Sequence, residues 1–247
     1  MTTPTPPTST ERGNEPELPL HTPSAASLSV AVLIALIAWL AFAAQTDITI
    51  GRLAARGYGV FDALERMSSY LTNLTVLLCA ISFTCVALRP PTPIGRFFRT
   101  PTVVTAIVVY MVFVGIAYNV LLRHLWTLSG YRALVNESLH TVLPVLSALY
   151  WLLFVPRFHL TWRRALLWLV YPLAYIVMTM LRGSLSDFYP YPFIDVLELG
   201  YTRVLINETL LVGAFVALMA VFAAINHRRP PRPREPAAAR DMRQDAR

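Results

Sequence analysis

Six predominantly apolar stretches recur along the chain, at Ala25 to Ala44, Ser69 to Leu88, Val103 to Leu122, Ser138 to Val155, Arg164 to Leu181 and Glu208 to Ile225. A helix rises about 1.5 Å per residue, so about 20 residues cross a hydrocarbon core roughly 30 Å thick. The last three stretches are somewhat short, and their ends are expected a few residues further out. Pro144 lies inside the fourth and Pro172 inside the fifth. Internal prolines are tolerated in membrane helices whose neighbours re-satisfy the freed carbonyls. Long buried helices of a water-soluble protein would need amphipathic helices around them, and the sequence supplies none. The pattern therefore predicts an all-α fold, a polytopic six-helix transmembrane bundle spanning residues 25–225.

The flanks differ in kind. Residues 1–24, rich in Pro and Thr, show no hydrophobic period and read as a disordered tail without a signal peptide. Residues 226–247 read as a second tail, with seven Arg and helix-excluding prolines. Composition agrees with the spans: 55% of the 247 residues are hydrophobic and 14% charged, against about 25% charged in ordinary soluble domains. Mean hydropathy is +0.52.

A net charge of +7 would suggest nucleic acid in a soluble protein, but its distribution fits membrane orientation instead. Three Arg and no acid stand in each of the loops after the second and fourth spans, and the C-terminal tail adds seven more. The opposite loops are longer, and their seven Arg are offset by eight Asp or Glu. Both termini are thus expected in the cytoplasm of a multi-pass cell-membrane protein, with membrane lipids as partners and no nucleic acid. Cys79 and Cys85, six residues apart in one helix, are too far apart to bond.

Polar residues inside the spans are costly, so each is a candidate for function. Ser68, Ser69, Thr72 and Asn73 begin the second span, Tyr118 and Asn119 end the third, and Asn136, Glu137 and His140 begin the fourth. Arg182 follows the fifth, and Asn207 and Glu208 begin the sixth. With the orientation above, all fall toward the extracytoplasmic end. His140 stands out, because an imidazole of ordinary pKa near 6.5 takes and returns a proton at neutral pH. Asn136 and Glu137 precede it by four and three residues, on the face where either could orient or charge-balance the ring. Pro144, four residues on, deprives the His140 carbonyl of its helical bond. Thr72 reaches matching depth in the second span, and a Thr hydroxyl becomes a nucleophile when a base takes its proton. Asn73, Asn119 or Asn136 could serve an oxyanion. The competing reading gives Thr72 and His140 to packing and interhelical hydrogen bonding. The sequence holds no hydrolase elbow, no HExxH and no phosphate loop, and its five His have no ligand spacing, so neither metal nor cofactor is expected.

The segments SSYLTNLTVLL at 68 to 78, YNVLLRHLW at 118 to 126, VNESLHTVLPVLSALYWLLF at 135 to 154, YPLAYIVMTMLRG at 171 to 183 and FYPYPFIDV at 188 to 196 carry a resemblance. In this order they resemble a bacterial member of the Pr6Pr family, six-helix membrane proteins related to the eukaryotic androgen-induced gene 1 and FAR-17a proteins. The resemblance runs from about residue 31 to 224. It implies a transmembrane hydrolase that cleaves fatty acid esters of hydroxy fatty acids with an intramembrane Thr and His. The family's YLT threonine falls on Thr72, and its HT-x-x-P histidine on His140. The tails and the loop at 89 to 99 have no counterpart in it. Two other classes stay open: a non-catalytic lipid-binding or structural protein, and a transporter, for which internal repeats with matching helix breaks are wanting. Oligomeric state is not legible, since Gly213, Ala214, Ala217 and Ala220 could pack within the chain or between chains.

Overall fold

The computed structural model describes residues 24–229. The tails expected at residues 1–23 and 230–247 lie outside the described residues. Where the expected tails meet the bundle, the chain is ordered: Ser24 caps the first helix, and residues 226–228 continue the last.

Among the described residues the architecture is all-α, with six helical rods long and apolar enough to cross a membrane. The chain is a multi-pass membrane protein. The first rod is α1 (Ala25–Ala54), which begins where the Ser24 hydroxyl accepts the Ser27 N–H at 3.2 Å. A short helix, α2 (Val60–Ser68), follows it and leads into the second rod, α3 (Leu71–Leu88). After α4 (Pro93–Phe98), the third rod is α5 (Pro101–Ala117), extended by a π turn at Tyr118–Leu122 and a 3-10 turn at Arg123–Leu125. The fourth joins α6 (Gly130–Glu137) to α7 (Leu143–Phe154) through a second π turn at Ser138–Val142. The fifth joins α8 (Trp162–Leu166) to α9 (Val170–Ser186) through a 3-10 turn, and the sixth is α10 (Val196–Arg228).

Five of these rods are longer than the apolar runs that announce them. The added turns hydrogen-bond locally: the Asp195 carboxylate receives the Leu197 and Glu198 N–H groups at 3.0 and 3.4 Å and caps α10, which starts at Val196, more than three turns before Glu208. Inside α10 the backbone breaks at Gly200 (φ 74°, ψ 158°), a conformation that a residue without Cβ takes at no steric cost.

Burial is inverted relative to a soluble protein. Leu40 is 68% exposed and Leu210 67% exposed, among many large apolar side chains on the outer faces of the rods, an extent that lipid covers. Inside, Ala31, Ala35, Ala38 and Ala41 form a small-residue face along α1, against which α3 packs. Small side chains let backbones approach, and dispersion then replaces the hydrophobic drive that is missing in lipid. The third rod is the most enclosed, with 61% of its apolar window buried, against 22% for the fifth and 28% for the sixth. The fifth and sixth rods therefore form the bundle's thin side. Gly213, Ala214 and Ala217 are exposed there and take no part in the core.

Polar pairs pin the interior at several depths. Ser27 meets the Tyr150 hydroxyl at 3.0 Å, Thr75 meets Tyr171 at 2.8 Å, and Trp151 Nε1 donates to Thr105 at 2.9 Å. At the arginine-rich end Asn226 Nδ2 donates to the Phe158 carbonyl at 2.9 Å, and Arg229 lies over the Trp151 ring at 4.2 Å. That end is thus more polar inside than its sequence suggests. Both cysteines are free, with Cys79 buried.

Candidate functional site

At the end of the bundle where α3 and α6 begin and α5 stops, three rods converge on one imidazole. Thr72 stands in the first turn of α3 and is buried; its Oγ1 lies 3.3 Å from His140 Nε2, across 68 residues of sequence. The other ring nitrogen, Nδ1, is 3.0 Å from the Asn136 carbonyl oxygen. A carbonyl only accepts, so Nδ1 carries the proton and Nε2 presents its lone pair to Thr72. The Tyr118 ring stacks on the imidazole with centroids 3.8 Å apart and planes 21° apart, which fixes the ring's rotation.

Backbone irregularity makes this geometry. Pro144 has no N–H for the His140 carbonyl, and the chain widens into a π turn in which Leu143 N–H reaches back to Ser138 O. The orphaned His140 oxygen receives Asn119 Nδ2 at 3.1 Å, and the same amide donates to Gly115 O at 2.8 Å. Asn119 can reach because its own segment is the π turn at the end of α5. At Gly115 the two rods touch so closely that a Cβ would lie 2.9 Å from Pro144 Cβ and Cγ. Single-turn π elements are recurrent features of functional sites, and here two face each other across the histidine.

The supporting residues divide. Asn136 orients the ring through its main-chain carbonyl, not its side chain. Asn119 holds the histidine's backbone. Glu137 turns away from the ring: its carboxylate pairs with Arg123 at 2.7 Å and accepts from Thr141 at 2.8 Å, and Arg123 Nε donates to Asn119 Oδ1 at 2.6 Å. Asn73 does not join the pair, because its amide is spent on Met67 O at 3.0 Å and on the Met67 sulfur at 3.3 Å. Among the described residues none of the three asparagine amides hydrogen-bonds to Thr72.

Tyr191, in the loop between the fifth and sixth rods, fills that place. It lines the same cavity as Thr72, with its hydroxyl near the Thr72 side chain and the main chain of Leu71 and Thr72, at the N-terminal turn of α3. Burial pushes the phenol up to about 12, the Thr72 contacts opposing this, so it is a protonated donor at neutral pH. The loop is seated by Tyr189, whose ring occupies the space a Cβ on Gly183 would take, and by Arg66, which lies 3.5 Å over the Phe188 ring. The FYPYPFIDV segment is legible as an interfacial rim, but nothing in it signals that one of its tyrosines reaches Thr72.

Thr72 and Tyr191 open onto a cavity of about 80 Å³ lined by α3, the end of α5, α9, α10 and the 192–194 turn. About 10–15 Å³ of such volume holds one water, so the cavity takes several waters or a short acyl segment. Leu71, Val114, Pro172, Ile176, Leu211 and Phe215 give it an apolar wall, broken by Thr179, Tyr118, Tyr175 and Glu208. The thin side of the bundle, α9 and α10, separates it from lipid. Among the described residues no cluster of His, Cys, Asp or Glu could hold a metal ion.

Fold and site together define a six-helix, multi-pass membrane protein with a polar centre near one end. No protein family, characterised protein or solved structure matches the chain.

Proposed function

We propose that the protein is an intramembrane lipid-ester hydrolase in which Thr72 is the nucleophile and His140 the general base. The observation that carries this reading is the 3.3 Å approach of Thr72 Oγ1 to an Nε2 whose partner nitrogen is tied to the Asn136 carbonyl, beside a cavity suited to an acyl chain. A base-to-nucleophile distance slightly beyond the usual O–H···N range is common in ligand-free sites, which tighten around substrate. The resemblance to the Pr6Pr family supports the same two residues.

In this mechanism the ester carbonyl carbon sits at Thr72, with its chain in the cavity. Thr72 Oγ1 attacks the carbon as its proton passes to His140 Nε2. The oxyanion lies at the first turn of α3, where the helix dipole favours negative charge, and the Tyr191 hydroxyl, shifting off the Leu71 and Thr72 main chain, adds a donor. Collapse breaks the bond to the alcohol oxygen, which takes the proton from the imidazolium. Water then attacks the acyl-Thr72 ester, with His140 again receiving the proton; the bond from the acyl carbon to Thr72 Oγ1 breaks, Oγ1 takes the proton back from the imidazolium, and the free acid is released. The arginine-rich loops support placing both termini in the cytoplasm, which puts this chemistry in the outer leaflet, with lateral access through the thin α9–α10 side.

One observation favours a second reading, lipid binding without turnover: Tyr191 already occupies the main chain of Leu71 and Thr72, where a substrate oxyanion would need to sit. Hydrolysis of a panel of long-chain lipid esters by the purified protein, beside Thr72→Ala and His140→Ala at equal folded yield, separates the two. Turnover lost in both variants is the expected outcome. Turnover indifferent to both substitutions, or none with any ester, retires the Thr/His mechanism in favour of binding.

A further inference from the structure

Charge is sorted along the bundle axis. Among the described residues every Asp and Glu stands toward the end that holds Thr72 and His140: in the closing turns of α1, in α2, in α6, and between the end of α9 and the first half of α10. The opposite end has none. There the turn between the second and third rods brings Arg89, Arg96 and Arg99 together within a few residues. The ion pair among the described residues, Arg123 with Glu137, lies at the far end from them.

This turn is built as a fixed corner. Arg89 closes α3 in a left-handed conformation (φ 52°), with its N–H donating to the Cys85 carbonyl at 3.0 Å. Pro90 and Pro91 follow, and α4 folds back on them so closely that a Cβ on Gly95 would lie 2.8 Å from the Pro90 carbonyl oxygen. The Ser82 hydroxyl donates to the Phe98 carbonyl at 2.8 Å and fastens the far end of α4 to α3. Two consecutive carbonyls then gather two guanidinium groups: Arg96 Nη1 donates to Pro91 O at 2.8 Å, and Arg99 Nη1 to Pro90 O at 3.3 Å. A carbonyl carries no full charge, so the cations stand side by side without being neutralised. Arg99 Nε is buried and lacks any hydrogen-bond partner, alone in this among the side-chain nitrogens and oxygens of the described residues. A donor of a charged group left unmet costs free energy that an acceptor from outside the chain would return.

The other face of α4 is apolar. Ile94 and Phe97, three residues apart, are both exposed, and helical geometry sets them opposite Arg96. Because α3 ends at Leu88 and α5 begins at Pro101, α4 lies at the membrane boundary, where apolar side chains dip toward the acyl chains and guanidinium groups stay at the level of the headgroups.

We propose that the corner formed by Arg96 and Arg99 binds the headgroup phosphate of an anionic phospholipid, with Ile94 and Phe97 set against its acyl chains. Arg99 turns from the long Pro90 bond to present Nε and an Nη to two phosphate oxygens, the bidentate pattern that its planar fork favours. Arg96 supplies the second cation. A zwitterionic lipid brings its own ammonium to a corner with no acid to receive it and binds more weakly. A soluble phosphate offers no chains to Ile94 and Phe97. The site stands at the opposite end of the bundle from Thr72 and His140 and does not depend on hydrolysis there.

The test titrates phosphatidylglycerol or phosphatidylcholine of the same chains into the full-length protein in neutral detergent, with bound lipid counted by native mass spectrometry. The wild type takes up one phosphatidylglycerol about tenfold more tightly than phosphatidylcholine, the size of a hydrogen bond to a charged group. Arg99→Gln and Arg99→Lys both abolish this preference, since Lys keeps the charge and loses the fork. Arg96→Gln, at an exposed position, weakens it and keeps the test open should the Arg99 variants fold poorly. Arg163→Gln, exposed in α8 at the same end, leaves it unchanged. A preference that survives Arg96→Gln and Arg99→Gln, that survives Arg99→Lys, or that falls equally in Arg163→Gln reports diffuse attraction to charge and overturns the proposal. Displacement of the lipid by glycerol 3-phosphate at equal concentration overturns it too, by making the ligand a soluble phosphate.

Discussion

Gly115→Ala sets two physical effects against each other at the contact that holds His140. An added Cβ would lie 2.9 Å from Pro144 Cβ and Cγ and 3.1 Å from the His140 carbonyl oxygen. Carbon atoms in good contact stand about 3.5–4.0 Å apart, so α5 and the π turn must separate by about 0.6 Å. Overpacking of this kind costs roughly 1–3 kcal/mol, while replacing Gly by Ala in a helix returns about 1 kcal/mol. The net expectation is a destabilisation of about 0–2 kcal/mol. The larger consequence is for the site, because Thr72 and His140 stand at 3.3 Å, already near the limit of a hydrogen bond. Moving the imidazole away from Thr72 by this amount loses the contact, and misplacement on the scale of 1 Å can cost about a hundredfold in rate. Gly213→Ala, with no atom within 4 Å of its added Cβ, is the control, and its stability stays equal or rises. Stability is read by thiol-dye labelling during heating, since Cys79 is fully buried, with Cys85→Ala to silence the second thiol. Gly115→Ala matching the control in both stability and ester hydrolysis would refute the argument that this close approach positions the histidine.

Two further substitutions probe separate links of the chain of reasoning. Tyr191→Phe removes one hydroxyl from the first turn of α3; kcat for ester hydrolysis falls by about 10–1,000-fold with little change in KM, whereas an increased kcat would assign Tyr191 to blocking the site. Asp195→Ala removes the cap of α10 and costs about 1 kcal/mol; an unchanged thermal midpoint would show that the 192–194 turn and the Asn207 contact suffice to start that helix.

The span count, the all-α class and the shared depth of Thr72 and His140 are legible in the sequence for a simple reason. Hydrocarbon imposes a length of about 20 apolar residues and makes each polar exception conspicuous. Pro144 likewise announces an unsatisfied carbonyl before any coordinates are seen. The partner of that carbonyl is not legible, because Asn119 reaches it only through a π turn and the close approach at Gly115. Local periodicity places Glu137 beside His140, yet Arg123, fourteen residues earlier and on another rod, outcompetes the ring for it. Asn73, adjacent to Thr72 in sequence, faces Met67, since neighbouring helical residues point about 100° apart.

Tertiary structure alone decided three matters: that Thr72 and His140 touch, that Tyr191 rather than an asparagine amide stands beside Thr72, and that Glu208 lines the same cavity. Each depends on the packing of rods far apart in sequence. Lipid selects a helix by its composition, but which face of one helix meets which face of another is set by side-chain shape and by the few polar groups that must find partners. Those choices leave no periodic trace in the chain.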